Sequence, residues 1–243
     1  MSDGWEDSAR GWIAEQGEDG DFARASVLDR PMQAQVQAAA PRRVLDVGCG
    51  EGRFCRWMRG QGMEAVGLDP TVALLERARH LDPEGHYVQG RAEALGFDDG
   101  SFDLVVSYLT LIDIPDYAAA IKEMARVVRP GGTVLIANLQ SYHTCGEDRP
   151  VWRDDGAAQV VLDRYLEERS DWAAWRAVRI VNWHRPLSAY MRAFLNAGLE
   201  LTGFDEPAPY GGNETKQNRY RNAPFFHVMT WRRAGGGSGA AGG

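Results

Sequence analysis

Between residues 42 and 139 short apolar runs alternate with amphipathic stretches, and that rhythm restricts the chain to few architectures. The runs are RRVLDVG (42–48), EAVGLDP (64–70), GHYVQG (85–90), FDLVVSYLTL (102–111) and TVLIANL (133–139). GRFCRWMRGQG, TVALLERARHL and YAAAIKEMARVVRPGG lie between them with helical spacing. Apolar strands with no polar face have to be covered on both sides. Strands that alternate with helices give a parallel sheet wrapped by those helices. The fold class read from this pattern is α/β: a Rossmann-like, doubly wound, mostly parallel seven-stranded sheet with an antiparallel edge strand, plus a helical lid or insert.

The first turn of this sheet is VLDVGCGEG (44–52), with glycine at positions 48, 50 and 52. Glycines between a strand and a helix let the backbone bend sharply and come close to a ligand. A dinucleotide-binding turn has the spacing G-x-G-x-x-G. Here the sixth position is Arg53 and the spacing is G-x-G-x-G. No Gly-Lys-Ser/Thr follows, so a phosphate-binding P-loop is excluded. Asp46 and Glu51 put negative charge beside a turn that a pyrophosphate would want neutral. Asp69 ends the second run 17 residues after Gly52, where a carboxylate can accept from a ribose diol.

VLDVGCGEG, GLDP, GRAEALGFDDGSFDLVVS and RVVRPGGTVLIAN together resemble the class I S-adenosylmethionine-dependent methyltransferases, in particular the type 11, ubiquinone/menaquinone C-methyltransferase-like group. The resemblance covers about residues 43–139 and implies S-adenosylmethionine as cofactor, S-adenosylhomocysteine as product, and no metal. It implies that Gly48, Cys49, Gly50 and Gly52 pass beside the methionine portion. Asp46 then holds the amino group, and Asp69 with Pro70 receives the ribose. Arg91, Ala92 and Glu93 frame the adenine, with Arg91 standing where relatives often carry an acid. Ser107 and Tyr108 sit where cofactor and acceptor meet.

Expected units are an N-terminal helical lid (1–40), the cofactor-binding core (41–140) and a helical substrate-side insert (141–185) with helices over 157–168 and 170–177 and a short strand AVRIVNW (177–183). A C-terminal helix with edge strands (186–233) and a Gly-rich tail (234–243) complete the chain. Asp21 and Arg24 in the lid are placed to close over the cofactor or to lie as surface charges.

Methyl transfer from a sulfonium needs alignment more than an elaborate catalytic set. A base helps only if the acceptor must lose a proton. His143, just past the fifth strand, is the first candidate, as base, substrate contact or ordinary loop residue. His184 is second, and Asp113 and Tyr142 are third. Tyr142, Trp183 and His184 are the candidate acceptor contacts. Fourteen of the 24 aromatic residues fall in 141–231, which points to an apolar or aromatic small molecule or to tryptophans that glue a lid in place.

The net charge of −7 argues against nucleic acid as a partner. The loop SYLTLIDIPD (107–116) also lacks the Asn/Asp-Pro-Pro-aromatic motif that resemblance associates with base and amide methylation. No apolar run reaches the length of a membrane span. The acidic start MSDGWEDSAR and three unpaired-looking cysteines read as a cytoplasmic protein, monomer or homodimer. The residues also admit a non-catalytic homologue that binds the same cofactor; the Arg53 position disfavours an NAD-linked oxidoreductase.

Overall fold

A computed structural model describes residues 3–17, 20–145, 151–152, 158–159 and 162–235. The core is a seven-stranded sheet in the order β10-β11-β5-β4-β1-β2-β3. Its parallel strands are β1 (Arg43–Val47), β2 (Glu64–Asp69), β3 (His86–Gln89), β4 (Phe102–Tyr108) and β5 (Val128–Leu139). Short strands β6 (Val151–Trp152) and β7 (Ala158–Gln159) pair with each other outside it. A separate hairpin joins β8 (Arg169–Trp175) and β9 (Val178–His184). Strand β11 (Phe226–Arg233) runs antiparallel to both β5 and β10 (Leu199–Asp205), so the reversed strand lies one place in from the edge.

Helices cover both faces. Side chains alternate along β1: Val44 joins one cluster and Leu45 the other. On one face α2 (Asp29–Ala39), α3 (Arg53–Gly60) and α4 (Val72–Leu81) bury Met32, Val36, Met58 and Leu75. On the other, α5 (Tyr117–Val127) and α6 (Leu187–Asn196) bury Met124 and Phe194, and Phe194 stacks on Trp231 with ring centroids 4.7 Å apart. No helix among the described residues is long and apolar enough to cross a membrane.

Ahead of the sheet stand α1 (Trp5–Gln16) and a π-helical turn (Arg24–Leu28) that runs into α2. Helix α1 packs on the β8–β9 hairpin. Ser8 Oγ donates to Arg179 O and accepts from Arg179 N, both at 2.9 Å. Val181 N donates to Asp3 O at 2.8 Å. Glu6 also reaches α4: its carboxylate accepts from Val72 N and Ala73 N at 2.9 and 3.1 Å, giving that helix start the anion its exposed N–H groups favour.

The substrate-side insert is where expectation and structure part. The helix expected over 170–177 is strand β8 and the turn into β9. The helix expected over 157–168 falls partly outside the described residues, and 162–168 is irregular. Helical propensity in WAAW loses to cross-strand pairing once Trp172 faces Val181 and Ala173 faces Ile180. The tail expected over 234–243 lies outside the described residues beyond Gly235. A helix α7 (Glu214–Asn222), capped by Asn213, was not foreseen because its polar sequence has no apolar stripe to reveal it.

Candidate active site

Strand β1 delivers Val47 to the sheet's carboxyl edge, and the chain must then turn at once into α3. Gly48, with φ of 78°, makes that turn, and its N–H donates to Leu68 O at 2.7 Å. Gly50, with φ of 55°, faces open space on the cavity side, where a Cβ would meet nothing within 4 Å. Both take a backbone conformation that side-chain-bearing residues rarely adopt.

Asp46 points into the same corner and is 1% exposed. Its Oδ2 accepts from Cys55 Sγ at 3.5 Å, while Oδ1 has no hydrogen-bond partner. Burial, the largest effect, pushes its pKa up to about 7, aided by the charge of Asp69. Asp69 ends β2 and accepts from Gly50 N at 2.9 Å and Thr71 N at 2.8 Å. Burial raises its pKa too, against those two N–H bonds.

These residues open on a cavity of about 270 Å³. Asp46, Gly48, Cys49, Gly50, Asp69, Pro70, Arg91, Ala92, Glu93 and Tyr108 all line it. Gly52 does not; its bare Cα lets the Tyr87 ring approach, since a Cβ there would lie 2.6 Å from that ring. Ser107 is wholly buried behind the cavity. Arg91 pairs with Glu93 at 3.0 Å. The roof is the N-terminal segment and the β8–β9 hairpin: Trp5, Trp12, Trp175, Ile180 and Asn182. Trp5, Trp12 and Trp175 meet edge to face, with centroids 5.4 and 6.4 Å apart.

Arg53 anchors this roof. Its guanidinium forks onto Asp29 at 2.7 and 2.9 Å, and Asp29 also accepts from Tyr108 Oη at 2.9 Å. The residue that breaks the dinucleotide spacing therefore ties α3 to the N-terminal helices.

The acceptor-side histidines fall elsewhere. None of His143, Tyr142, Trp183 and His184 lines the cavity. His143 stacks on Phe225 at 3.8 Å, and burial lowers its pKa to about 4. Tyr142 donates its hydroxyl to Pro224 O. His184 lies between Thr144 Oγ1 (2.8 Å) and Tyr165 O (2.9 Å), and Trp183 N donates to Ile112 O. Each is consumed by packing the segment after β5 against β9 and β11. Asp113 instead lines the cavity, hydrogen-bonded to Asn182.

A family profile described as a methyltransferase domain matches residues 45–136. A malonyl-[acyl-carrier protein] O-methyltransferase of Salmonella typhimurium is 35% identical over 173 residues, 71% of this chain and 68% of that protein. The chain belongs to the type 11 class I S-adenosylmethionine-dependent methyltransferases. A demethylmenaquinone methyltransferase of Renibacterium salmoninarum is 34% identical over 49% of this chain and 50% of that protein. Other malonyl-[acyl-carrier protein] O-methyltransferases match over 37 to 49% of their length, so the chain spans half or less of most of the curated relatives it matches. A solved S-adenosylmethionine-dependent methyltransferase from Mesorhizobium loti superposes with a TM-score of 0.73 at 27% identity, covering 89% of this chain and 100% of that one.

The residues of this methyltransferase fit the family's cofactor. Asp46 Oδ1 is a buried, orphaned acceptor on a cavity wall, which a ligand ammonium would satisfy. The cavity side of Gly50 is empty for want of a side chain.

Asp46 also gives a pH prediction. Its folded pKa of about 7 stands above the ordinary 3.8, so the folded state holds the proton longer as pH rises. Stability therefore falls between about pH 4 and 7, by about 4 kcal/mol for a shift of this size. Urea titrations of the unliganded protein should show the midpoint falling through that window, and Asp46→Asn should make the fall shallower, leaving the share that the raised pKa values of Asp69 and Asp113 contribute. Affinity for S-adenosylhomocysteine should move oppositely, rising toward pH 7 as Asp46 ionises to meet the ammonium, and calorimetry should find that rise missing in Asp46→Asn.

Proposed function

We propose that this chain transfers a methyl group from S-adenosylmethionine to a small acceptor with apolar or aromatic character. The observation that carries the reading is the unpartnered Oδ1 of Asp46, buried beside the bare turn at Gly48–Gly50 and one strand from Asp69.

When bound, S-adenosylmethionine supplies a methyl group already activated on a sulfonium. The chain's part is to hold and orient. Asp46 holds the ammonium, and Asp69 accepts from the ribose hydroxyls, its geometry preset by Gly50 N and Thr71 N. Ala92 and the Arg91–Glu93 pair border the adenine side. Tyr108, fixed by Asp29, faces the junction with the acceptor space. The tryptophan roof keeps water from that space, which favours close approach of the two reactants. Relatives are named for acceptors as different as acyl-carrier-bound malonyl and demethylmenaquinone, so the acceptor follows from the pocket rather than from family membership.

Calorimetry tests the reading. S-adenosylhomocysteine should bind at one saturable site and NAD should give no saturable heat. Methyl-labelled S-adenosylmethionine, incubated with a metabolite extract, should label a discrete product. No binding of S-adenosylhomocysteine at millimolar concentration overturns the reading, and tight binding with no labelled product favours a non-catalytic homologue.

A further inference from the structure

Building on the methyl-transfer reading, we propose that the acceptor is a small aralkyl amine, protonated at neutral pH, and that Asp113 holds its nitrogen and takes its proton.

The charge balance of the cavity carries this. Each of the lining arginines Arg24, Arg53 and Arg91 is already engaged, to Asp21 at 3.1 Å, Asp29 at 2.7 Å and Glu93 at 3.0 Å. The lining carboxylates Asp3, Asp46, Asp69 and Asp113 have no ion-pair partner among the described residues. Asp46 and Asp69 serve the cofactor, and Asp113 is left on the acceptor side with Asp3. A carboxylate-bearing acceptor would enter against like charge, with no unpaired arginine among the described lining residues to receive it. A hydroxyl would gain a single hydrogen bond. An ammonium gains an ion pair in a water-poor site.

The aromatic roof points the same way. Electron-rich ring faces attract cations, and this wall already holds one: the Arg24 guanidinium lies 4.9 Å from the Trp12 ring centre and 5.6 Å from that of Tyr108. Trp5 and Trp175 border the same space.

Asp113 is built in rather than loosely placed. Its N–H donates to Thr110 O at 2.9 Å, and its Oδ1 accepts from Asn182 Nδ2 at 2.5 Å. Trp183 N donates to Ile112 O at 2.6 Å, so β9 grips the post-β4 loop at Ile112 and at the carboxylate itself. The groups facing Asp113 are Asn182 from β9, Asp3 from the N-terminal segment, Asp69 from β2 and Arg24 from the π-helical turn. Burial first, then Asp3 and Asp69, raise its pKa well above the ordinary carboxylate value, and such a carboxylate is a stronger base. The proton step balances simply: an N–H bond of the ammonium breaks, an O–H bond forms on Asp113, and the electron pair stays on nitrogen as the nucleophile.

The test is calorimetry on protein saturated with S-adenosylhomocysteine, using benzylamine, benzyl alcohol and benzoate as matched probes. Benzylamine should bind at least about 10-fold tighter than benzyl alcohol, a difference of about 1.4 kcal/mol, and benzoate should bind weakest. Asp113→Asn should bring benzylamine down to the level of benzyl alcohol while leaving S-adenosylhomocysteine affinity intact, which also reports folding. Asp113→Ser gives the same comparison with a smaller side chain. The amine preference should fade as acidification protonates Asp113. Benzoate binding as tightly as benzylamine, an amine preference that survives both variants, or no saturable benzylamine binding overturns the proposal. Loss of S-adenosylhomocysteine binding in the parent protein would instead overturn the methyltransferase reading.

Discussion

Alanine at Gly48 is expected to lower affinity for S-adenosylhomocysteine by about 30-fold to 5,000-fold. Two costs add. A side chain at φ of 78° lies in the left-handed region, worth about 1–2 kcal/mol against any residue with a Cβ. The new Cβ would also stand 2.1, 2.6 and 2.8 Å from Cγ2, Oγ1 and Cβ of Thr110. Rotating Thr110 cannot relieve a contact with its own Cβ, so the loop must move, at about 1–3 kcal/mol. Those sums disfavour the binding-competent loop, and apparent affinity falls with its population. Calorimetry checks the loss. The double variant Gly48→Ala/Thr110→Gly should recover about 10-fold or more, because all three clashing atoms are gone while the backbone cost remains. An unchanged affinity in Gly48→Ala would show that the turn lies away from the ligand.

Arg185→Ala is expected to cost about 3–5 kcal/mol of stability, the range for stripping one partner from a buried charged network. Arg185 is 1% exposed. Its guanidinium donates to the carbonyls of Leu111 (3.0 Å), Ile114 (2.6 Å) and Pro115 (2.8 Å). It also lies 4.3 Å from the Tyr117 ring centre and 4.9 Å from that of Trp183. The side chain thus closes the loop after β4, which carries Asp113, onto α5 and β9. Alanine would leave the buried carbonyls of Leu111 and Ile114 without this donor. A shift of this size should lower the melting temperature by about 10 °C or more in a chain this long. Arg185→Lys should restore less than half, since an ammonium lacks the planar fork that reaches three carbonyls at once. A melting temperature within 2 °C of the parent would refute this account.

How far the sequence was legible follows from how local each signal is. VLDVGCGEG is a strand, a turn and a helix start within nine residues, and Asp46, Gly48 and Gly50 do stand together on the cavity wall. Asp69 was legible because it ends the adjacent parallel strand, in register with the turn. His143 read as a site residue from its place after β5, yet the side chain turns under Phe225. Position in sequence located the loop; packing chose its direction. Arg185 carried no signal at all, because an arginine in a basic stretch reads as surface until three carbonyls surround it. Residues 170–177 were misread as helical because alanine favours a helix in isolation, whereas here each strand of the hairpin lends the other its pairing.

What this protein's sequence determined unaided was the sheet, its covering helices and the cofactor-side turn, all set by periodicity and by residues within a strand or helix of one another. The tertiary structure alone decided the cavity wall proposed to receive the acceptor. That wall joins residues from 3–16, 21–24, 108–115 and 175–182, stretches far apart along the chain. Only folding brings the tryptophans over the carboxylates, since no local preference of any one segment encodes which distant segment it will face.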